Sequence, residues 1–193
     1  MKLKKIFIAV LSMLLIFSLA SVSFADSPKK PDKNLKIDTA YGEIKKSHYS
    51  SFTGIVKEIK KFPGIKGSCF VSVENKTGMP ANFIVTGNTY IVDDAEIKIG
   101  SIITGFYKSN MPMIMIYPPQ YSVDVISVQK EEQNIKVDKF NENLVSADFS
   151  LKLNIAKDTE IISSNNERFE GELTNKDLVV LYTISTKSIP AQT

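Results

Sequence analysis

From about Ser51 onward, apolar and polar residues alternate in short runs rich in β-branched side chains. This is the period of a strand with one buried face. It predicts strands at Gly54–Lys60, Ser68–Glu74, Ala81–Val85, Thr89–Val92, Ser101–Tyr107, Met113–Tyr117 and Ser122–Val128. A second set follows at Asn134–Phe140, Leu151–Ile155, Thr159–Ile162 and Leu178–Ile184. Pro63-Gly64, Lys66-Gly67, Asn75 to Gly78, Thr86-Gly87-Asn88, Asp93-Asp94 and Lys108-Ser109-Asn110 supply turn chemistry between them. Sustained 3.6-residue apolar periodicity is missing from this region, and only Leu173–Asp177 admits a turn or two of helix. The expected fold class is all-β.

The N-terminus follows a different rule. Lys2, Lys4 and Lys5 precede an apolar run from Ile6 to Ala20, and small residues stand at Ser23 and Ala25. Charge, then apolar run, then small residues is the order of a secretory signal peptide. The run is shorter than the ~20 residues of a membrane-spanning helix, so residues 1–25 are expected to be cleaved and the product exported. No stable membrane insertion is expected afterwards. Residues 26–50 read as a polar, flexible spacer, with a short paired stretch near Asn34–Ile44, because their Lys- and Pro-rich composition buries too little apolar surface to offset chain entropy.

The two sets of strands echo one another. Phe83-Ile84-Val85, Gly87-Asn88-Thr89 and Tyr90-Ile91-Val92 match Leu153-Asn154-Ile155, Lys157-Asp158-Thr159 and Glu160-Ile161-Ile162. Thr104 to Tyr107 then matches Val179 to Tyr182, and Tyr117-Pro118-Pro119-Gln120 matches Ile189-Pro190-Ala191-Gln192. The organisation expected is a first β repeat over 51–130 and a second over 131–193. Each repeat, with about five short twisted strands, suggests a small OB-like Greek-key barrel. In the first, Gln120 leads into the strand Ser122–Val128; in the second, no such strand follows Gln192. The second repeat is therefore expected to lack its closing strand and to leave an open edge.

Charge narrows the choice of partner. The chain carries 24 Lys+Arg and 21 Asp+Glu; without residues 1–25 it holds 21 of each. A nucleic-acid binder needs a basic field, so no nucleic-acid partner is expected. Lys57, Lys60 and Lys61 alternate with acids as on a solvated strand face. Cys69 is the single cysteine, which rules out an intramolecular disulfide and any Cys-x-x-Cys site.

Gly78-Met79-Pro80-Ala81-Asn82-Phe83, Pro112 to Gln120 and Ser185 to Thr193 resemble a group of secreted proteins from Gram-positive, spore-forming anaerobes. The resemblance covers about Ser51 to Thr193. In that group the module is often followed by a stalk domain like the N-terminal domain of copper amine oxidases. The resemblance implies secretion and a repeated β module; it implies no activity, no catalytic residues and no copper at this module.

Catalytic constellations are sparse. His48 is the only histidine and lies in the spacer, away from any second imidazole or thiol, so a Ser-His-Asp triad, a Cys-His pair or a His-based metal site lacks its parts. Asp93-Asp94, Glu131-Glu132 and Glu170 with Glu172 are too close in sequence to face one another across a cleft, as a glycosidase requires. Asp93-Asp94 reads as a turn. Met111, Met113 and Met115 would share one face of a strand, and thioethers suit Cu(I), but no His or Cys supports that site and no cofactor is expected. The segment with most promise is a candidate partner-binding strip: Met111, Met113, Met115, Tyr117, Pro118, Pro119 and Tyr121. Cores usually claim such residues, so packing over the barrel mouth is the favoured placement. The reading is a secreted or cell-envelope-associated, non-catalytic binding or structural module with a protein or cell-wall partner. The alternative is a carboxylate-dependent hydrolase acting on cell-wall or extracellular polymer.

Overall fold

β-Branched and aromatic residues at alternate positions build sheets here, and the computed structural model, which describes residues 46–193, contains no α-helix among them. The protein is all-β in this region. The leader expected at residues 1–25 and the paired stretch near Asn34–Ile44 lie outside the described residues.

The first strand, β1 (Tyr49–Lys61), is the longest at 13 residues because it serves two neighbours in turn. Tyr49 to Ile55 pair with β5 (Ile102–Lys108), and Ile55 to Lys61 pair with β2 (Cys69–Glu74), both antiparallel. The exchange of partners falls at Gly54 and a bulge between Val56 and Glu58. A Cβ on Gly54 would lie 2.8 Å from the Glu74 carbonyl oxygen, so only glycine lets the two backbones approach this closely. β2 turns into β3 (Pro80–Val85), and β3 pairs in parallel with β6 (Gln120–Ser122). After Val123 and Asp124 the chain forms β7 (Val125–Val128), antiparallel to β5, and β7 takes β4 (Tyr90–Ile91) on its other side. The resulting order is β4-β7-β5-β1-β2-β3-β6. β6 and β7, almost contiguous in sequence, thus bond to opposite flanks of the β5-β1-β2-β3 row.

The alternation buries one side of each strand. Val56, Val71, Val73, Ala81, Phe83, Val85, Ile103, Val123 and Ile126 form the main core. The charged side of β1 stays in water, where Lys57 pairs with Glu74 at 3.0 Å and Lys60 with Glu58 at 2.7 Å. Cys69 is half-buried against the core, and burial raises its thiol pKa.

Residues beyond 130 add β8 (Asn134–Phe140), antiparallel to β10 (Lys176–Tyr182), and β9 (Leu151–Lys152), parallel to β11 (Ala191–Gln192). Phe140, Leu151 and Leu153 form their own cluster, while Val137 joins Val92, Phe106 and Val125 in a cluster shared by both halves of the chain. Two loops recur almost atom for atom. Asn75 N–H donates to Met79 O and Gly78 N–H to Asn75 O, both at 3.0 Å; Asn141 N–H and Leu144 N–H repeat these bonds to Val145 O and Asn141 O at the same distance. In both, the Asn Oδ1 also accepts from the N–H two and four residues on. The left-handed corner is Gly78 in one and Leu144, at φ 55, in the other. Likewise Thr89 Oγ1 accepts from Thr86 N–H, and Thr159 Oγ1 from Ala156 N–H, each at 3.0 Å.

Several local expectations are overturned. Leu173–Asp177 forms no helix: Asn175 adopts the left-handed region at φ 58 and the next residue opens β10, whose alternating Leu178, Val180 and Tyr182 carry the burial. Met113–Tyr117 forms no strand: its backbone bonds only locally, Ile116 N–H to Ile114 O, and Pro112, Pro118 and Pro119 interrupt pairing on either side of it. Thr159–Ile162 contributes only an isolated bridge, Ile162 to Arg168. The run Ser122–Val128 is divided between β6 and β7. Thr89–Val92 shortens to β4 before a 3-10 turn at Val92–Asp94, in which Asp93 and Asp94 have φ 56 and 46. The sheet also begins earlier than expected, taking in Tyr49 and Ser50 from the end of the spacer.

Candidate functional site

The expected strip is the connection between β5 and β6, and its parts go to different places. Its middle makes no ladder bonds; Met111 N–H reaches Lys108 O at 3.3 Å and Ile116 N–H reaches Ile114 O at 2.9 Å, both local turns. Met111, Met113 and Met115 therefore do not share a strand face. Packing over a barrel mouth is also overturned: Met113 is 56% exposed, Tyr117 82% and Met115 fully. Ile114 and Ile116 are exposed beside them, two apolar neighbours the alternating-Met reading passed over. The far end is anchored. Pro118 and Pro119 are half-buried, Pro119 O accepts from Asn82 N–H at 2.9 Å, and Tyr121 stacks on Tyr107 with ring centroids 4.4 Å apart. Burial first, and the Tyr121 hydroxyl next, raise the pKa of Tyr107. An apolar tip is thus held out from an anchored base.

A second constellation escaped the sequence reading. On β8, Lys136 and Asp138 are two residues apart and share a face. Lys136 Nζ lies 3.5 Å from Asp138 Oδ2 and bonds closely to Asp148 Oδ2. Asp138 is wholly buried; its Oδ1 accepts from His48 N–H at 2.8 Å and from Lys139 N–H at 2.9 Å. His48, assigned to the spacer, is thereby tied to the fold through its backbone; its carbonyl also accepts from Ser109 N–H at 2.9 Å. Asp148 Oδ1 takes the hydroxyls of Ser146 at 2.7 Å and Ser150 at 2.8 Å. Beside this cluster a surface cavity of about 590 Å³ is lined by Tyr49, Ser50, Phe106, Tyr107, Lys136 and Asp148. Tyr49 donates to Asp177 at 3.2 Å, and burial, followed by the Asp177 charge, holds its phenol well above the ordinary range. The recoverable signal was Ser146-x-Asp148-x-Ser150, a turn in which one carboxylate gathers neighbouring donors.

Burial alone would raise the Asp148 pKa, but the bonds from Lys136, Ser146 and Ser150 outweigh it and lower the value to about 2. A depressed carboxylate contributes stability that is full above its unfolded pKa, near 4, and lost as pH falls towards 2. That difference corresponds to about 2 kcal/mol. Asp148→Asn is expected to cost about this much at pH 7 and to flatten the acid limb of the stability curve between pH 4 and 2. Urea denaturation across that range checks it; an unchanged acid limb would contradict it.

Among the described residues no group of three or more His, Cys, Asp or Glu is placed to hold a metal ion, and no helix is long and apolar enough to cross a membrane. No protein-family model matches the chain, and no curated protein sequence matches it.

Proposed function

We propose that the chain is a secreted or cell-envelope-associated, non-catalytic binding module of two OB-like repeats, which engages a protein or cell-wall partner through the loop between β5 and β6. The observation that carries the binding reading is the exposed apolar tip from Met111 to Tyr117 on an anchored base. Exposed contiguous apolar surface is costly in water and marks interaction sites, and methionine adapts to varied partners. The repeat reading draws support from the recurring Asn and Thr loops, and from the parallel pairing of β3 with β6 and of β9 with β11. The OB-like reading draws support from the way the 120–128 segment bonds to both β3 and β5, which carries the β1-β2-β3 meander towards closure.

The test compares the wild type with a Met113→Ser, Tyr117→Ser double variant in sedimentation with purified cell wall and in capture of culture-supernatant proteins. Because both side chains are exposed, folding is expected to be unaffected and recovery to fall about tenfold, the loss of one or two hot-spot side chains. Equal recovery of the two proteins would sink the assignment.

One observation favours the hydrolase alternative: Asp138 and Asp148 converge on Lys136 beside a cavity. The chemistry weighs against it. A general acid needs a raised pKa, whereas Asp148 is held ionised with Lys136 as its partner. The triad serves better as a clasp between β8, the 146–150 turn and the segment before β1.

A further inference from the structure

β5 and β10 are corresponding strands in the two-repeat reading, yet their surroundings differ. β5 is bonded on both flanks, by β1 and by β7. β10 is bonded by β8 alone, and among the described residues no second strand pairs with its other flank. Along β5 this leaves Ile103 fully buried and Phe106 nearly so. Along β10 the matching residues are Leu178, which is only half-buried, and Leu181, which is 37% exposed.

Natural edge strands are blunted by lysine, proline or bulges. On β10 the charged residues, Lys176 and Asp177, are confined to its first two positions; from Leu178 to Tyr182 the edge carries no lysine, proline or bulge, and its register with β8 is unbroken. Over Leu178 to Tyr182 both faces are apolar. Leu178, Val180 and Tyr182 lie on the Phe140, Leu151 and Leu153 cluster, and Val179 lies on the cluster of Val92, Phe106 and Val125. What covers such a flank is shown by β7: it runs antiparallel to β5, with Val125 buried in one cluster and Ile126 in another. A strand that is apolar on both faces and β-branched therefore fits this kind of edge.

We infer that the free flank of β10 is a strand-addition site, which takes an extended, β-branched segment of a partner polypeptide in antiparallel register. Main-chain hydrogen bonds would supply the affinity, and Val or Ile side chains on the two faces the selectivity. The inference rests on the two-repeat reading for the match of β10 to β5, and it names a surface distinct from the Met111–Tyr117 tip.

The probe is a labelled synthetic peptide of residues 122–129, titrated into the chain and followed by anisotropy. Saturable binding is expected. N-methylation of alternate residues should weaken it at least tenfold in one phase of the alternation and spare it in the other, since only one set of N–H groups faces β10. The same segment fused after Thr193 through a short Gly-Ser linker should raise Tm by several degrees and abolish binding of the free peptide. No binding together with an unchanged Tm overturns the inference. So does a stable dimer whose self-association the peptide cannot compete, because the flank would then be taken by a second copy. Exchanging the loops Asn75–Met79 and Asn141–Val145 separates the two ideas. A tolerated exchange without peptide binding by the unaltered chain removes the edge site alone. An exchange that unfolds the protein while the unaltered chain binds peptide removes the repeat reading and leaves the site.

Discussion

Asp138→Ala is expected to destabilise the fold by about 3 kcal/mol, the cost of emptying one side of a buried ion pair. The side chain is fully buried and gathers three interactions. Its Oδ1 accepts the backbone N–H groups of His48 and Lys139, and its Oδ2 faces Lys136 Nζ at 3.5 Å without a hydrogen bond of its own. Alanine removes the acceptor from two N–H groups, and among the described residues Lys136 keeps only Asp148 as an acidic partner. Lys136 is about one-fifth exposed, so water relieves part of its loss and the cost falls at the lower end of the range for broken buried pairs. Asp138→Asn separates the contributions. Its amide oxygen can replace Oδ1, but its NH₂ must then point at an ammonium, so a loss between that of alanine and zero is expected. Urea midpoints at pH 7 for the three proteins give the comparison. If alanine and asparagine were equally harmless, the clasp between β8 and the start of β1 would have no role in stability.

That clasp also marks how far the sequence alone could be read. Strands whose burial alternates through several residues were legible: β2, β3, β5, β8 and the centre of β10 lie within a residue or two of their expected places, because one face meets a core and the other meets water. The Met111–Tyr117 run misled, since alternating methionines satisfy the strand pattern while three nearby prolines interrupt pairing and no core reaches the loop. Ser122–Val128 looked like one strand, and Val123 and Asp124 mark where it leaves β3 for β5; nothing local encodes that change of partner. Asp138 was illegible for another reason. In Lys136-Val137-Asp138-Lys139 a charged residue on an alternating strand reads as solvent-facing, and its burial depends on His48, ninety positions away. Long-range partners of that kind are set by topology, which a single sequence does not display.

The core makes a sharper demand at Phe83. This ring is fully buried, meets Phe52 edge-on at 6.1 Å and lies 6.5 Å from Tyr121. Phe83→Ala is expected to cost about 3–5 kcal/mol, the transfer loss plus a cavity that surrounding strands cannot close. Across the sheet interior, Gly105 on β5 explains why the ring fits: a Cβ there would lie 2.8 Å from Phe83 Cε2 and 2.8 Å from Val123 Cγ1. Gly105→Ala should therefore destabilise by about 1–3 kcal/mol through overpacking, although alanine is the better strand residue. The two losses should not add. With the ring gone, the new methyl enters part of the void it left, and the double variant should recover at least about 1 kcal/mol of the summed cost. A double-mutant cycle by chemical denaturation measures this coupling. Additive losses would show that Gly105 is required by its backbone or by Val123, and not by the bulk of the Phe83 ring.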